Sequence, residues 1–302
     1  MPETNVAELL APETLARIDN YSLLARLVVE GFISGLHRSL YHGFGSEFFQ
    51  YRSYVPGDDL KYVDWKVYGR QDKFYTKVFQ EETNMNCCIL LDASASMAYR
   101  GQAAACGKLR YGAMIAAALA YLASRQGDNV GLYAYSDRIV ASMPPGRRAG
   151  GLQRLLIALQ GLQAAGVADH ESALNFAGEN LRRRGMVVFI SDMHGLEDGA
   201  LARAIKRFRF AHHDCIVFQV LDADELDFPF QRTVRFVDSE DASRTVTAPE
   251  LIRESYQDAM RGFTASIREA CFAELADYLL ARTTDNLGNL LAAYLHRREA
   301  LC

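Results

Sequence analysis

The chain has 302 residues, half of them hydrophobic, and 33 Lys and Arg against 37 Asp and Glu, for a net charge of -4. Such length and apolar content support one large core or two, while the slight acidic excess supplies no global positive field to hold nucleic acid. The longest membrane-like run, residues 113–123, falls short of the roughly 20 apolar residues that a spanning helix needs.

The opening Met1-Pro2-Glu3 lacks the basic and apolar regions of an export signal, and the six cysteines form no C-x-x-C pair. A cytoplasmic chain with reduced, mostly buried thiols is the expectation. Residues 1–33 carry Leu15, Ile18, Leu23, Leu24, Leu27, Val28 and Phe32 at three- and four-residue steps, which predicts helices, with Pro12 in a first turn. From residue 34 to 80 the rhythm breaks at Gly35, Gly43, Gly45, Gly57 and Gly69. Within this stretch residues 48–54 read as extended and Pro56-Gly57 as a turn. Asp58 or Asp59 then caps a short helix carrying Val63 and Trp65 inward, and residues 74–82 read as a strand.

Beyond residue 84 strands and helices alternate. Strands are predicted at 87–91, 130–135, 186–190 and 215–221, with 138–143 pairing beside the second. Helices are predicted at 109–125, 150–161, 171–184 and 200–210, the first of them apolar almost all round. A hairpin of Val234-Arg235-Phe236-Val237 against Arg244-Thr245-Val246 follows. A helix over 249–276, a short strand near 278–280 and a helix over 287–298 close the chain. This alternation predicts an α/β fold built on a mostly parallel sheet.

The apolar run at 87–91 ends in Asp92, Ser94 and Ser96, separated by small alanines. A strand that delivers a carboxylate and two hydroxyls to a sheet's carboxyl edge places them where α/β folds collect ligands. Oxygen-only donors of this kind suit a hard cation such as Mg²⁺. Ser or Asp after a strand also serves as a helix cap. A second apolar strand ending in Ser191-Asp192 favours a site, because two neighbouring carboxylates need a cation or hydrogen-bonded neighbours. His37, His42 and His212-His213 have no Cys or Glu at zinc spacing and read as structural, whereas His194, two residues past Asp192, reads either as flanking the site or as a loop histidine without a role.

Strand-Asp-x-Ser-x-Ser, a helix and a later strand ending in Ser-Asp resemble the von Willebrand factor A fold with its metal-ion-dependent adhesion site. A second resemblance lies upstream, in Gly35-Leu36-His37-Arg38-Ser39, Glu47-Phe48, Arg52-Ser53-Tyr54-Val55-Pro56-Gly57-Asp58-Asp59, Asp64-Trp65, Gly69-Arg70 and Glu81-Glu82-Thr83. These motifs resemble the signature of the bacterial family called domain of unknown function 58, in which the signature precedes a von Willebrand A-like domain. The resemblance implies an N-terminal module over residues 1–83, helical and then irregular or β. It implies a von Willebrand A-like (Rossmann-like) domain over 84–302, with helices on both faces of the sheet.

The same resemblance implies a Mg²⁺ or Mn²⁺ held by Asp92, Ser94, Ser96 and Asp192, with one position open for a partner's carboxylate. The expected threonine is replaced by Ala168, leaving Asp169 or water to fill its place. Arg52, Asp58, Asp59 and Trp65, together with His194, are the candidate partner-contacting residues. Arg52, Arg70, Asp59 and Asp64 also read as ion pairs locking the upstream module to the sheet.

The expectation is therefore a non-enzymatic adaptor gripping an acidic residue of another protein, with no nucleic acid and no membrane span. The family resemblance implies work beside a MoxR-type AAA+ ATPase in maturing other proteins. That ATPase would be a separate chain, because no Walker A motif is present. The alternative is a Mg²⁺-dependent phosphotransferase of haloacid dehalogenase type, which uses Asp-x-Asp. Ser94 stands where its acid/base carboxylate would be.

Overall fold

Alternation along β3 (Asn86–Asp92) builds a core on each face of one sheet. Cys87, Ile89 and Leu91 enter one cluster of buried side chains, and Cys88 and Leu90 enter the other. The computed structural model describes residues 10–35, 50–53, 67–69, 74–78, 85–146, 150–181, 183–197, 199–239 and 243–299.

In chain order, a short turn of helix α1 (Pro12–Leu15) leads to α2 (Tyr21–Gly35). A small antiparallel pair, β1 (Gln50–Ser53) and β2 (Tyr75–Val78), lies apart from the main sheet. After β3 come α3 (Lys108–Arg125), β4 (Asn129–Tyr135), β5 (Ile139–Met143), α4 (Gly151–Gln160) and α5 (His170–Asn180). Then follow β6 (Gly185–Ser191), α6 (Ala200–Phe210), β7 (Asp214–Leu221) and a short helix α7 (Ala223–Asp227). The hairpin of β8 (Val234–Val237) and β9 (Arg244–Thr247), then α8 (Pro249–Ala273), β10 (Asp277–Arg282) and α9 (Leu287–Glu299) complete the order.

Six strands lie in the order β10-β7-β6-β3-β4-β5. All neighbours run parallel except the edge strand β5, which is antiparallel to β4. The predicted α/β class, with its mostly parallel sheet and helices on both faces, is the observed one. One face carries α3 together with Tyr21, Leu24, Ala25, Val28 and Val29 of α2, Leu155 and Leu159 of α4, and Leu291 and Leu295 of α9. The other carries Ala173 and Ala177 of α5, Leu201, Ile205 and Phe208 of α6, and Ile267 and Cys271 of α8. Each fully buried Val, Leu, Ile or Phe side chain contributes about 1.5–3 kcal/mol by leaving water.

The helix α3 is buried on nearly all sides, as its sequence predicts. Gly112 lets it approach the sheet: a Cβ there would stand 3.2 Å from side chains of Leu91 and Ile190. That close seat aims the first turn of α3 at the carboxyl ends of β3 and β6.

Element ends differ from expectation for local reasons. The predicted helix 171–184 stops at Asn180, because Leu181 turns extended to feed β6 and the Asn180 amide caps the Phe176 carbonyl at 2.8 Å. The predicted helix 249–276 stops at Ala273, ahead of Leu275 at a left-handed φ of 56°. The helix α7 was not expected. Of the strand predicted over 74–82, β2 occupies 75–78 and residues beyond 78 lie outside the described set.

Two expected outcomes follow from this packing. A Cβ on Gly185 would stand 2.0 Å from the Asn86 carbonyl oxygen across the β3–β6 pair. Gly185→Ala is therefore expected to cost about 1–3 kcal/mol or more in urea denaturation, as overpacking does; an unchanged midpoint would refute that register. Burial pushes the Cys106 thiol up to about 11 and those of Cys215 and Cys271 up to about 12, from 9.0. The raised folded values mean that the thiols' contribution to stability is complete below pH 9 and is lost as pH rises through about 11–12. Denaturation curves from pH 8 upward should show stability falling on the alkaline side; a flat or rising profile would contradict the buried, protonated thiols.

Candidate functional site

The strand order reverses between β3 and β6, the place where open α/β sheets leave a crevice beyond the strands' carboxyl ends. The strand β3 delivers Asp92 to that crevice, and β6 delivers Ser191 with Asp192 directly after it. The loop that follows β3 continues through Ser94 and Ser96 in a short 3₁₀ turn and returns at Lys108, whose N–H donates to the Tyr99 carbonyl.

Each polar group here is engaged. The Asp92 carboxylate accepts the Ser94 N–H at 2.8 Å on Oδ1 and the Ser191 hydroxyl at 2.7 Å on Oδ2. The Ser94 and Ser96 hydroxyls pair at 3.0 Å, and Ser96 helps to hold the Asp192 carboxyl down. The Asp192 carboxylate accepts the His194 N–H at 2.9 Å on Oδ1 and the Lys108 ammonium at 2.8 Å on Oδ2. The same ammonium donates to Glu225 Oε1 at 2.6 Å. Asp92, Lys108 and Asp192 are 0 %, 2 % and 1 % exposed.

These contacts divide the two aspartates electrostatically. Burial, and then the charge of Asp192, pushes the Asp92 carboxyl above its usual range. Burial acts on Asp192 in the same direction, but the Lys108 charge and hydrogen bond overcome it and hold that carboxyl below its usual range. Burial alone would lower the Lys108 pKa; Asp192 and Glu225 instead hold it well above the ordinary lysine value. Burial raises the Glu225 carboxyl even with Lys108 beside it.

The structure brings Asp92, Ser94, Ser96 and Asp192, the residues named by the resemblance, to one edge. The loop that carries Ala168 and Asp169 lies beside them, since Ala95 N–H donates to the Gly166 carbonyl and Ala165 N–H to that of Ala93. On that loop Asp169 is the N-cap of α5, its Oδ1 accepting the Ser172 N–H at 2.9 Å. His194 is exposed on the rim, and its carbonyl accepts His170 Nε2 at 2.7 Å. The other ring nitrogen of His170 meets the Tyr135 hydroxyl at 2.9 Å, bracing the rim from beneath. Arg52 lies in β1, and Asp58, Asp59 and Trp65 fall outside the described residues. Among the described residues, no group of three or more His, Cys, Asp and Glu side chains is arranged to hold a metal ion.

Sequence reasoning missed Lys108, Glu225 and Asp222. A lysine in the first turn of a helix opposes the helix dipole, a local mismatch that marks a special role. Asp222 and Glu225 form a capping box at α7, in the spacing that announces one. Asp222 also accepts the Gly101 N–H at 3.1 Å and the Thr283 hydroxyl at 2.9 Å, tying α7 to the loop after β3 and to the end of β10. Asp222→Ala should cost about 1–3 kcal/mol for each buried donor it orphans, measured by denaturant unfolding. A loss within about 0.5 kcal/mol, the range of an ordinary surface change, would count against that tie.

The family model described as "Protein of unknown function DUF58" matches residues 50–265. The uncharacterized proteins Rv1480 of Mycobacterium tuberculosis and Mb1516 of Mycobacterium bovis are each 27% identical over 294 residues, covering 95% of this chain and 91% of theirs. Among solved structures, the conserved hypothetical protein BatB from Bacteroides thetaiotaomicron is 15% identical with a TM-score of 0.47, covering 72% of this chain and 100% of that one. The SpRpn10 VWA domain is 13% identical with a TM-score of 0.41, covering 69% and 94%. No helix among the described residues is long and apolar enough to cross a membrane. With the family match spanning well over half of the sequence, the chain belongs to the DUF58 family.

Proposed function

We propose that the chain is a non-enzymatic protein-interaction module that docks its partner on the carboxyl edge of the sheet. The observation that carries this reading is the contrast between a polar cluster satisfied from within and an exposed rim around it. Val167 is 52% exposed and Tyr99 37%, with Arg100 and His194 also exposed on loops of the same edge. Apolar and aromatic groups of this kind are what interface cores use, and Arg100 and His194 supply donors for an acidic residue of the partner. A cytoplasmic MoxR-type AAA+ ATPase, engaged in maturing other proteins, is the partner we propose.

The Mg²⁺ or Mn²⁺ expected over Asp92, Ser94, Ser96, Asp192 and Asp169 does not fit these residues as they stand. Asp169 gives one oxygen to the α5 cap, and the ammonium of Lys108 already bonds Asp192. The haloacid dehalogenase alternative draws no support either. Its nucleophile would be Asp92, which is wholly buried with both oxygens engaged.

Binding to the purified MoxR-type ATPase, read by biolayer interferometry in each nucleotide state, tests the proposal. Val167→Asp and Arg100→Glu are each expected to weaken binding by roughly tenfold, a loss of about 1.4 kcal/mol. Absence of binding by the wild type would remove the ATPase partnership; unchanged affinity in both variants would remove this edge as the docking face. Phosphate-ester turnover abolished by Asp92→Asn would instead revive the enzyme reading.

A further inference from the structure

We propose that Lys108 is the resident cation beside Asp192, held there by Asp192 and Glu225, so that the chain closes this edge without a divalent metal. The proposal is independent of whether the edge docks a partner. A divalent ion needs several oxygens converging on one point, and Mg²⁺ demands near-ideal octahedral geometry. Here the carboxylate that follows β6 and the carboxylate carried by α7 converge on an ammonium, 2.8 Å from Asp192 and 2.6 Å from Glu225. A second cation sharing Asp192 would face that ammonium at close range in a site closed to water, where like charges repel strongly.

The arrangement is built rather than incidental. Glu225 is held before it meets Lys108, because its Oε2 accepts the Asp222 N–H at 2.7 Å within the α7 capping box. The remaining side of the ammonium faces the Tyr99 ring, 5.9 Å from its centroid, within the roughly 6 Å over which a ring attracts a cation. The position at the start of α3 is the wrong one for a cation by the helix dipole, so two carboxylates from other elements are what stabilise it there. The hydroxyls offered to a metal by Ser94 and Ser96 are bonded to each other instead. Glu225 thus occupies, from inside the same chain, the role that an external carboxylate plays toward a bound metal.

The test uses the full-length protein and the metals alone. Isothermal titration of Mg²⁺ and Mn²⁺ into chelator-treated wild type should show no binding up to millimolar concentration, and chelator or metal should leave the melting temperature unchanged. Lys108→Gln should melt lower and recover with Mn²⁺, with the metal's EPR signal broadened on binding. Wild-type binding that disappears in Asp92→Asn or Asp192→Asn would overturn the proposal. So would a Lys108→Gln variant as stable as wild type and indifferent to metal. Wild-type binding that survives both aspartate variants lies elsewhere and leaves the proposal standing. If Lys108→Gln does not fold, the wild-type titration with its aspartate variants decides.

Discussion

The ion pair between Lys108 and Asp192, extended to Glu225, is the constraint on which the carboxyl edge depends. It joins the start of α3, the end of β6 and the short helix α7, segments 84 and 117 residues apart in sequence. Bringing three charges out of water is expensive, and a buried pair of this kind adds little net stability over an apolar replacement. Its leverage lies in specificity. With one partner removed, an uncompensated charge remains buried, at a cost of about 3–5 kcal/mol. The alternative in which the three segments separate is therefore disfavoured, and the loop after β3 has one place to go.

That constraint works only because the sheet delivers its groups accurately. The β3–β6 pair is in register from Asn86↔Gly185 to Leu91↔Ile190, so Asp92 and Ser191 emerge side by side. The Ser191 hydroxyl then bonds Asp92, while its own oxygen accepts the Met193 N–H at 2.8 Å. Met193 sits at a left-handed φ of 66°, which turns the chain and aims the His194 N–H back at Asp192. Packing on both faces of the sheet fixes the strands, the strands fix the carboxylates, and the carboxylates fix the loops.

Much of this was legible in the sequence because the signals were local. A run such as Ile89-Leu90-Leu91, buried on both faces, has one reading between a turn and a charged residue, and the parallel order follows from the helices between strands. The delivery of Asp92 and Asp192 to one edge was legible for the same reason. What was not legible was the pairing of Lys108 with Glu225, since nothing in either local sequence names a partner more than a hundred residues away. Asp169 shows a second limit of local sequence. Its place after a glycine and before a helix is equally the place of an N-cap, and the cap is what it became.

Asp92 and Asp192 also show why separated carboxyl pKa values do not by themselves mean catalysis. One environment raises its carboxyl and the other lowers its own, the pattern that assigns acid and base in hydrolytic enzymes. In those enzymes the groups face a cleft that a substrate enters. Here both are sealed, and each engages its hydrogen bonds within the chain. A substrate would first have to break the Lys108–Asp192 contact or open the loop after β3, and each step strips partners from a buried charge. The division of charge therefore serves to hold the loops in one arrangement. In the docking role proposed for this edge, the surface offered to another molecule is the rim those loops present.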